Sequence, residues 1–256
     1  MSAPNAVTPQ SLSQALQQFP PPVVIDVRVA ESFARDPQII AGAIRRAADA
    51  LDAWAQTAEP WRAVVVYCVH GLDVGRGAAA ALAARGVDAS YLDGGLEAWR
   101  DSGGATTPYR APTRWVTRER PKIDRIACPW LVRRFIDADA QFFYVPSADV
   151  VAFAREYGAQ PYDVPGVRYT HDGKRCSFDA FIAHHELADP ALARLATIVR
   201  AADTNTLEAA AQAPGLLAAS LGLSRMFADD HAMLRYGMLV YDALYAWCRA
   251  SEPSSS

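Results

Sequence analysis

Short apolar runs at residues 23–27 and 63–69, with a third strand-like segment at 89–92, constrain this chain more than any other feature. Each is too short for a buried helix, and none shows the alternation of a strand with one wet face, so each predicts a strand covered on both sides. The segments between them have helical character. Thr8, with Pro9 at the first helical position, opens a short amphipathic helix running to about residue 19. Residues 51–57 give a second helix, an alanine-rich stretch at 77–85 stopped by Gly86 a third, and residues 96–101 closed by Gly103 and Gly104 a fourth. Strands and helices in alternation define an α/β fold, a parallel sheet flanked by helices.

From residue 103 to 121 the pattern lapses into Gly, Thr, Pro and Arg without a period, as in an inter-domain connection. The expected organisation is a first domain at 1–108, a linker at 109–118, a second domain at 119–250 and a disordered serine-rich tail at 251–256. A chain of 256 residues with 51% hydrophobic residues has material for two such cores. Helical patterns dominate the second domain, at 129–136, 147–157, 178–185, 190–202, 207–211 and 227–249. Two β-like pieces, 141–145 and 167–170, predict a small sheet or hairpin there. Cys248 and the aromatics Tyr241, Tyr245 and Trp247 read as core.

A net charge of −3 argues against a protein that coats DNA, and no apolar stretch is long enough to cross a membrane. Residues 1–10 lack the basic start and apolar core of a secretory signal. Four cysteines without paired spacing predict reduced thiols and a cytoplasmic location rather than a disulfide framework.

Cys68 stands where the chemistry of the first domain is expected, at the end of a buried strand and ahead of a helix. The expected loop between them is Val69, His70, Gly71, Leu72, Asp73, Val74, Gly75 and Arg76. Such a loop turns its backbone N–H groups toward the sulfur, and the helix adds the positive end of its dipole. Both favour an anionic sulfur and suit a bound persulfide or oxyanion. Asp73 works against an anionic donor such as thiosulfate, at ~1 kcal/mol or more if it stands close. Arg76 either offsets Asp73 or caps the loop, and His70 is expected to face solvent.

The order of Asp26-Val27-Arg28, Glu31-Ser32-Phe33, Gly42-Ala43-Ile44, Cys68 and Asp93-Gly94-Gly95-Leu96-Glu97-Ala98-Trp99 resembles the rhodanese family over residues 8–103. That resemblance implies a sulfurtransferase with Cys68 as the catalytic residue and the amides of residues 69–76 as its cradle. Asp26 and Arg28 are expected to form a structural ion pair. Phosphatase-like relatives carry His before the cysteine and Arg six residues after it; Tyr67 and Val74 occupy those positions, so that signature fails.

The second domain opens with a basic run, Arg114, Arg118, Arg120, Lys122, Arg125, Arg133 and Arg134, expected either as a mouth for an anion or nucleic acid or as a solvated charged face. Cys128 and Cys176 stand at expected helix starts, where a dipole would lower a thiol pKa. Either is a candidate to take sulfur from Cys68 or to bind a soft metal, or else is a buried structural cysteine. His171, Cys176, Asp203, Asp230 and His231 have ligand-type side chains for a divalent metal, but their spacing is not diagnostic. No other cofactor is indicated.

Residues 122–131, 134–137 and 175–181, with Ala202-Asp203-Thr204, Gly222-Leu223-Ser224-Arg225, 227–231 and 241–245, resemble the C-terminal domain of the ChrB-like chromate-resistance proteins. The resemblance implies a link to chromate resistance, as regulator or accessory factor, without fixing a reaction. The two functional expectations are therefore a rhodanese-type sulfurtransferase coupled to a chromate-resistance domain, and a non-enzymatic oxyanion or redox sensor, or a transcriptional regulator of that resistance. The first implies a sulfur donor and a thiol acceptor as partners. The second implies a small oxyanion, with DNA disfavoured by the thin aromatic interleaving around Trp115 and Trp130.

Overall fold

All four residues of Val64–Tyr67 are buried, and their side chains divide between two cores. Val64, Val66 and Cys68 point into one, Val65 and Tyr67 into the other. This is the period-two alternation of a strand with helices on both faces. The computed structural model describes residues 4–250, so the expected tail at 251–256 lies outside the described residues. The chain divides into two compact units after Ala111.

The first unit runs β1 (Ala6–Val7), α1 (Pro9–Leu16), β2 (Val23–Asp26), α2 (Ala30–Arg35), β3 (Gln38–Ile40), β4 (Ile44–Arg45), α3 (Leu51–Thr57), β5 (Val64–Tyr67), α4 (Asp73–Ala83), β6 (Ala89–Leu92), α5 (Gly95–Asp101) and β7 (Thr106–Pro108). Its main sheet is wholly parallel in the order β1-β6-β5-β2-β4, while β3 and β7 pair antiparallel. α3 and α4 cover one face, where Leu51, Ala79 and Leu82 meet Val64 and Val66. α1 and α5 cover the other, where Leu12, Leu96 and Trp99 meet Val65 and Tyr67. The Asp26–Arg28 pair is fully buried with a 2.6 Å contact, and Arg28 also donates to the carbonyls of Asp36 and Gln38, tying the start of β3 to the sheet.

The second unit runs β8 (Arg114–Arg118), α6 (Asp124–Phe135), β9 (Gln141–Val145), α7 (Val150–Tyr157), β10 (Gln160–Pro161), α8 (Ser177–His184), α9 (Pro190–Asp203), α10 (Ala213–Met226) and α11 (Asp230–Ala250). It is mainly helical with a small parallel sheet, ordered β10-β8-β9. The expected linker is therefore corrected at 114–118: that stretch is the central strand of the sheet, with Trp115 and Val116 buried. Residues 167–170 supply only a single bridge, between Tyr169 and Tyr162. α6 starts five residues before the expected point, because Pro129 sits inside it. Proline cannot donate to the carbonyl four residues back; the Tyr162 hydroxyl donates to that carbonyl, of Arg125, instead. Trp247 is half-exposed, contrary to its expected place in the core. Among the described residues no helix is long and apolar enough to cross a membrane.

Candidate functional site

Cys68 follows β5 directly and belongs to the side of the sheet that packs on α4, which is why its sulfur meets the start of that helix. A Cβ at Gly75 would stand 3.4 Å from the Cys68 Sγ, so only a hydrogen occupies the space between helix and sulfur. α4 begins at Asp73 with no side-chain cap, leaving the amides of its first turn without intrahelical partners. The expected eight-residue loop is thus corrected: Val69, His70, Gly71 and Leu72 form it, while Asp73, Val74, Gly75 and Arg76 are helical. Gly75, which looked like a loop residue, permits the close approach within the helix.

Two glycine contacts fix the loop. Gly71 (φ +68°) lies against Leu92, Gly94 and Gly95, and a Cβ on Gly95 (φ +62°) would stand 2.5 Å from both the Cys68 and Val69 carbonyl oxygens. Those carbonyls accept the Leu96 and Glu97 N–H groups, so the first turn of α5 is bound to the backbone at Cys68 and Val69. The Gly94-Gly95 turn is a positioning element for Cys68, which sequence alone registered only as a family motif. His70 faces solvent as expected, paired with Glu97 at 3.0 Å. Arg76 neither offsets Asp73 nor caps the loop; its guanidinium lies over the Tyr91 ring. Asp73 is exposed, so water and salt screen its charge and the expected selection against anionic donors loses its basis.

A second constellation forms in the other unit. His171 Nε2 lies 3.4 Å from Asp124 Oδ2, 3.4 Å from Asp163 Oδ1 and 3.2 Å from Asp203 Oδ2. Asp124 occupies the first turn of α6, Asp203 the last residue of α9, and Asp163 the left-handed residue (φ +53°) shortly after β10. Ile123, at φ +44°, bends the chain into α6 and is held by Ser220 Oγ accepting its N–H and Tyr241 donating to its carbonyl. Ser177 donates its hydroxyl to Asp163 and its N–H to Asp124, and Arg118 and Arg125 pair with Asp163. Burial and the neighbouring Asp124 charge push Asp203 up to about 7 and raise Asp163 as well. The hydrogen bond to Asp124 raises His171 to about 9.

Of the expected ligand set, His171, Cys176 and Asp203 come together around Asp124 and Asp163, two carboxylates that sequence reasoning missed. Asp230 and His231 do not join them. Asp230 accepts the Arg120 N–H and pairs with its side chain, and His231 packs on the Tyr144 ring. Cys128 and Cys176 are completely buried, and burial followed by the Asp124 charge raises both thiols. That corrects the expected lowering by helix dipoles. Cys128 lies in the second turn of α6 rather than before the helix, and desolvation outweighs any dipole at Cys176. Neither is placed to receive sulfur from another thiol. The basic run is also largely spent inside the unit. Arg118 and Arg125 hold Asp163, Arg120 holds Asp230, Arg134 holds Asp242, and Arg114 and Arg133 donate to carbonyls.

Comparison with known proteins agrees with this division. Residues 8–102 match the model of the rhodanese-like domain, and residues 115–248 match that of the ChrB C-terminal domain. Protein ChrB of Cupriavidus metallidurans is 35% identical over 144 residues, a stretch covering 54% of this chain but only 43% of that protein. Among solved structures, a rhodanese-like domain protein from Staphylococcus aureus is 25% identical with a TM-score of 0.35, covering 40% of this chain and 96% of its own. A thiosulfate sulfurtransferase from Pseudomonas aeruginosa is 26% identical with a TM-score of 0.34, covering 42% of this chain and 20% of its own. The second family model spans just over half of the sequence. The chain therefore belongs to the ChrB C-terminal domain family, and it carries a rhodanese-like domain ahead of that region.

Proposed function

We propose that the first unit is a sulfurtransferase in which Cys68 carries the sulfur, joined in one chain to the ChrB-type domain. The observation that carries this reading is the position of the Cys68 sulfur, between the end of β5 and the uncapped first turn of α4, with Gly75 beside it. The match to the rhodanese-like domain over residues 8–102 supports it. In the first half-reaction the Cys68 thiolate attacks the outer sulfur of a sulfane-sulfur donor. A new S–S bond forms on Cys68, the donor's bond to that sulfur breaks, and its electron pair leaves with the rest of the donor. The product persulfide is an anion, and the amides opening α4 supply donors for its charge. An acceptor thiolate then attacks the outer sulfur, forming its own S–S bond and releasing the Cys68 thiolate. One difficult transfer becomes two easier ones, with no external oxidant.

Steady-state kinetics with donor and acceptor varied together test the scheme. A double-displacement pattern, with parallel double-reciprocal lines, is expected. Turnover should vanish in Cys68→Ser while the circular dichroism spectrum is unchanged. Turnover that survives in Cys68→Ser overturns the assignment.

A further inference from the structure

We propose that Asp124, Asp163, His171 and Asp203 form a binding site for one divalent transition-metal cation of the zinc class, with the Cys176 thiol beside it as a soft ligand. Three carboxylate oxygens stand 3.2–3.4 Å from one imidazole nitrogen. A proton on that nitrogen points at one oxygen only, and a charged N–H···O bond closes to about 2.7–2.9 Å. None of the three distances is that short. Ligand atoms bound at about 2.0–2.1 Å to a tetrahedral zinc stand about 3.3–3.4 Å from one another, close to the three distances from the imidazole nitrogen to the carboxylates here.

Charge points the same way. Arg118 and Arg125 both serve Asp163, which leaves His171 as the cation facing Asp124 and Asp203 among the described residues. Asp124 is 2% exposed, and buried carboxylates without compensating charge are costly. A dication among these groups supplies that compensation and frees the imidazole to bind as a neutral ligand. A separate observation comes from Cys128. Its thiol is fully buried one helical turn beyond Asp124 on the same face of α6, with no hydrogen-bond partner among the described residues. Asp124 and Cys176 also converge with Asp203 closely enough to share an ion. The outer contacts are those of a built site. Ser177 orients Asp124 and Asp163, and the two arginines fix the far oxygen of Asp163. His171, with its side chain 41% exposed, gives an ion its way in.

The site is independent of Cys68, and its test keeps them apart. The full chain carrying Cys68→Ser is stripped with a chelator, dialysed against zinc chloride, and its metal content measured by elemental mass spectrometry. One equivalent of zinc per chain is expected. Asp203→Asn, nearly isosteric, and His171→Ala should each weaken binding by at least about 100-fold, the upper end of what loss of a mere outer-shell partner costs. Circular dichroism confirms that the variants are folded. Cys176→Ser should weaken zinc more than manganese, since only zinc gains from a thiolate. No bound equivalent in the parent chain, or one that persists in both Asp203→Asn and His171→Ala, overturns the proposal.

Discussion

Replacing Gly95 with alanine sets a methyl group against the backbone that carries Cys68. The new Cβ would stand 2.5 Å from the carbonyl oxygens of Cys68 and Val69 and 2.6 Å from the Gly71 nitrogen. Every one of these atoms is main chain, so no side chain can swing aside. Holding alanine at φ +62° adds about 1–2 kcal/mol, and forcing the overlap adds about 1–3 kcal/mol. The expected destabilisation is therefore about 2–5 kcal/mol, within the ~5–15 kcal/mol of a typical domain, so the unit stays mostly folded. Relief of the clash must move Cys68, and a displacement near 1 Å costs a catalytic group up to about 100-fold in rate. Gly86 is the matched control, because its φ is also positive (+81°) but a Cβ there meets nothing within 4 Å. Gly86→Ala should lose only the backbone term, about 1–2 kcal/mol, and react at close to the parent rate. The assays are urea unfolding and single-turnover persulfide formation in native buffer. Equal rates for Gly95→Ala and parent, or equal slowing in both variants, would refute the claim that this turn positions the cysteine.

Two further outcomes concern stability. Asp242 accepts from the Trp130 indole and from Arg134, whose side chain is 1% exposed, so Asp242→Ala should cost about 3–5 kcal/mol, read by Trp130 fluorescence and by hydrogen exchange in α6 and α11. In the first unit the Arg100 hydrogen bond holds Asp36 below its ordinary carboxyl value. A lowered folded pKa contributes stability above the unfolded value and loses it as pH falls through the folded one. The pair is over one-third exposed, so the effect is at most about 1 kcal/mol. The parent should lose slightly more urea resistance than Asp36→Asn on going from neutral to acid, and an equal loss would remove the pair from the acid response.

How much of this was legible in the sequence depends on what each element needed. β2, β5 and β6 are apolar runs because both faces are covered, and that pattern is local. β1, β4 and β10 are two residues long, too short to show any period. β8 buries three residues in a row between two arginines that made it look like a linker; the arginines' partners, Tyr157 and Asp163, are about 45 residues away. The start of α4 was hidden by Gly75, since glycine marks a loop unless a close approach such as the one to the Cys68 sulfur demands it. Asp124 opens α6, Asp203 ends α9, and Asp163 and His171 lie in the connection between β10 and α8, so no local spacing could reveal them.

Whether the Cys68 sulfur acts as a sulfur carrier is decided most directly by mass spectrometry of the intact chain after brief exposure to a sulfane-sulfur donor. The mass of one sulfur atom should appear on the peptide that contains Cys68, disappear on addition of an acceptor thiol, and never appear in Cys68→Ser. Cys128 and Cys176, both fully buried, should remain unmodified over the same interval. Sulfur found on those thiols while Cys68 stays bare would contradict the account.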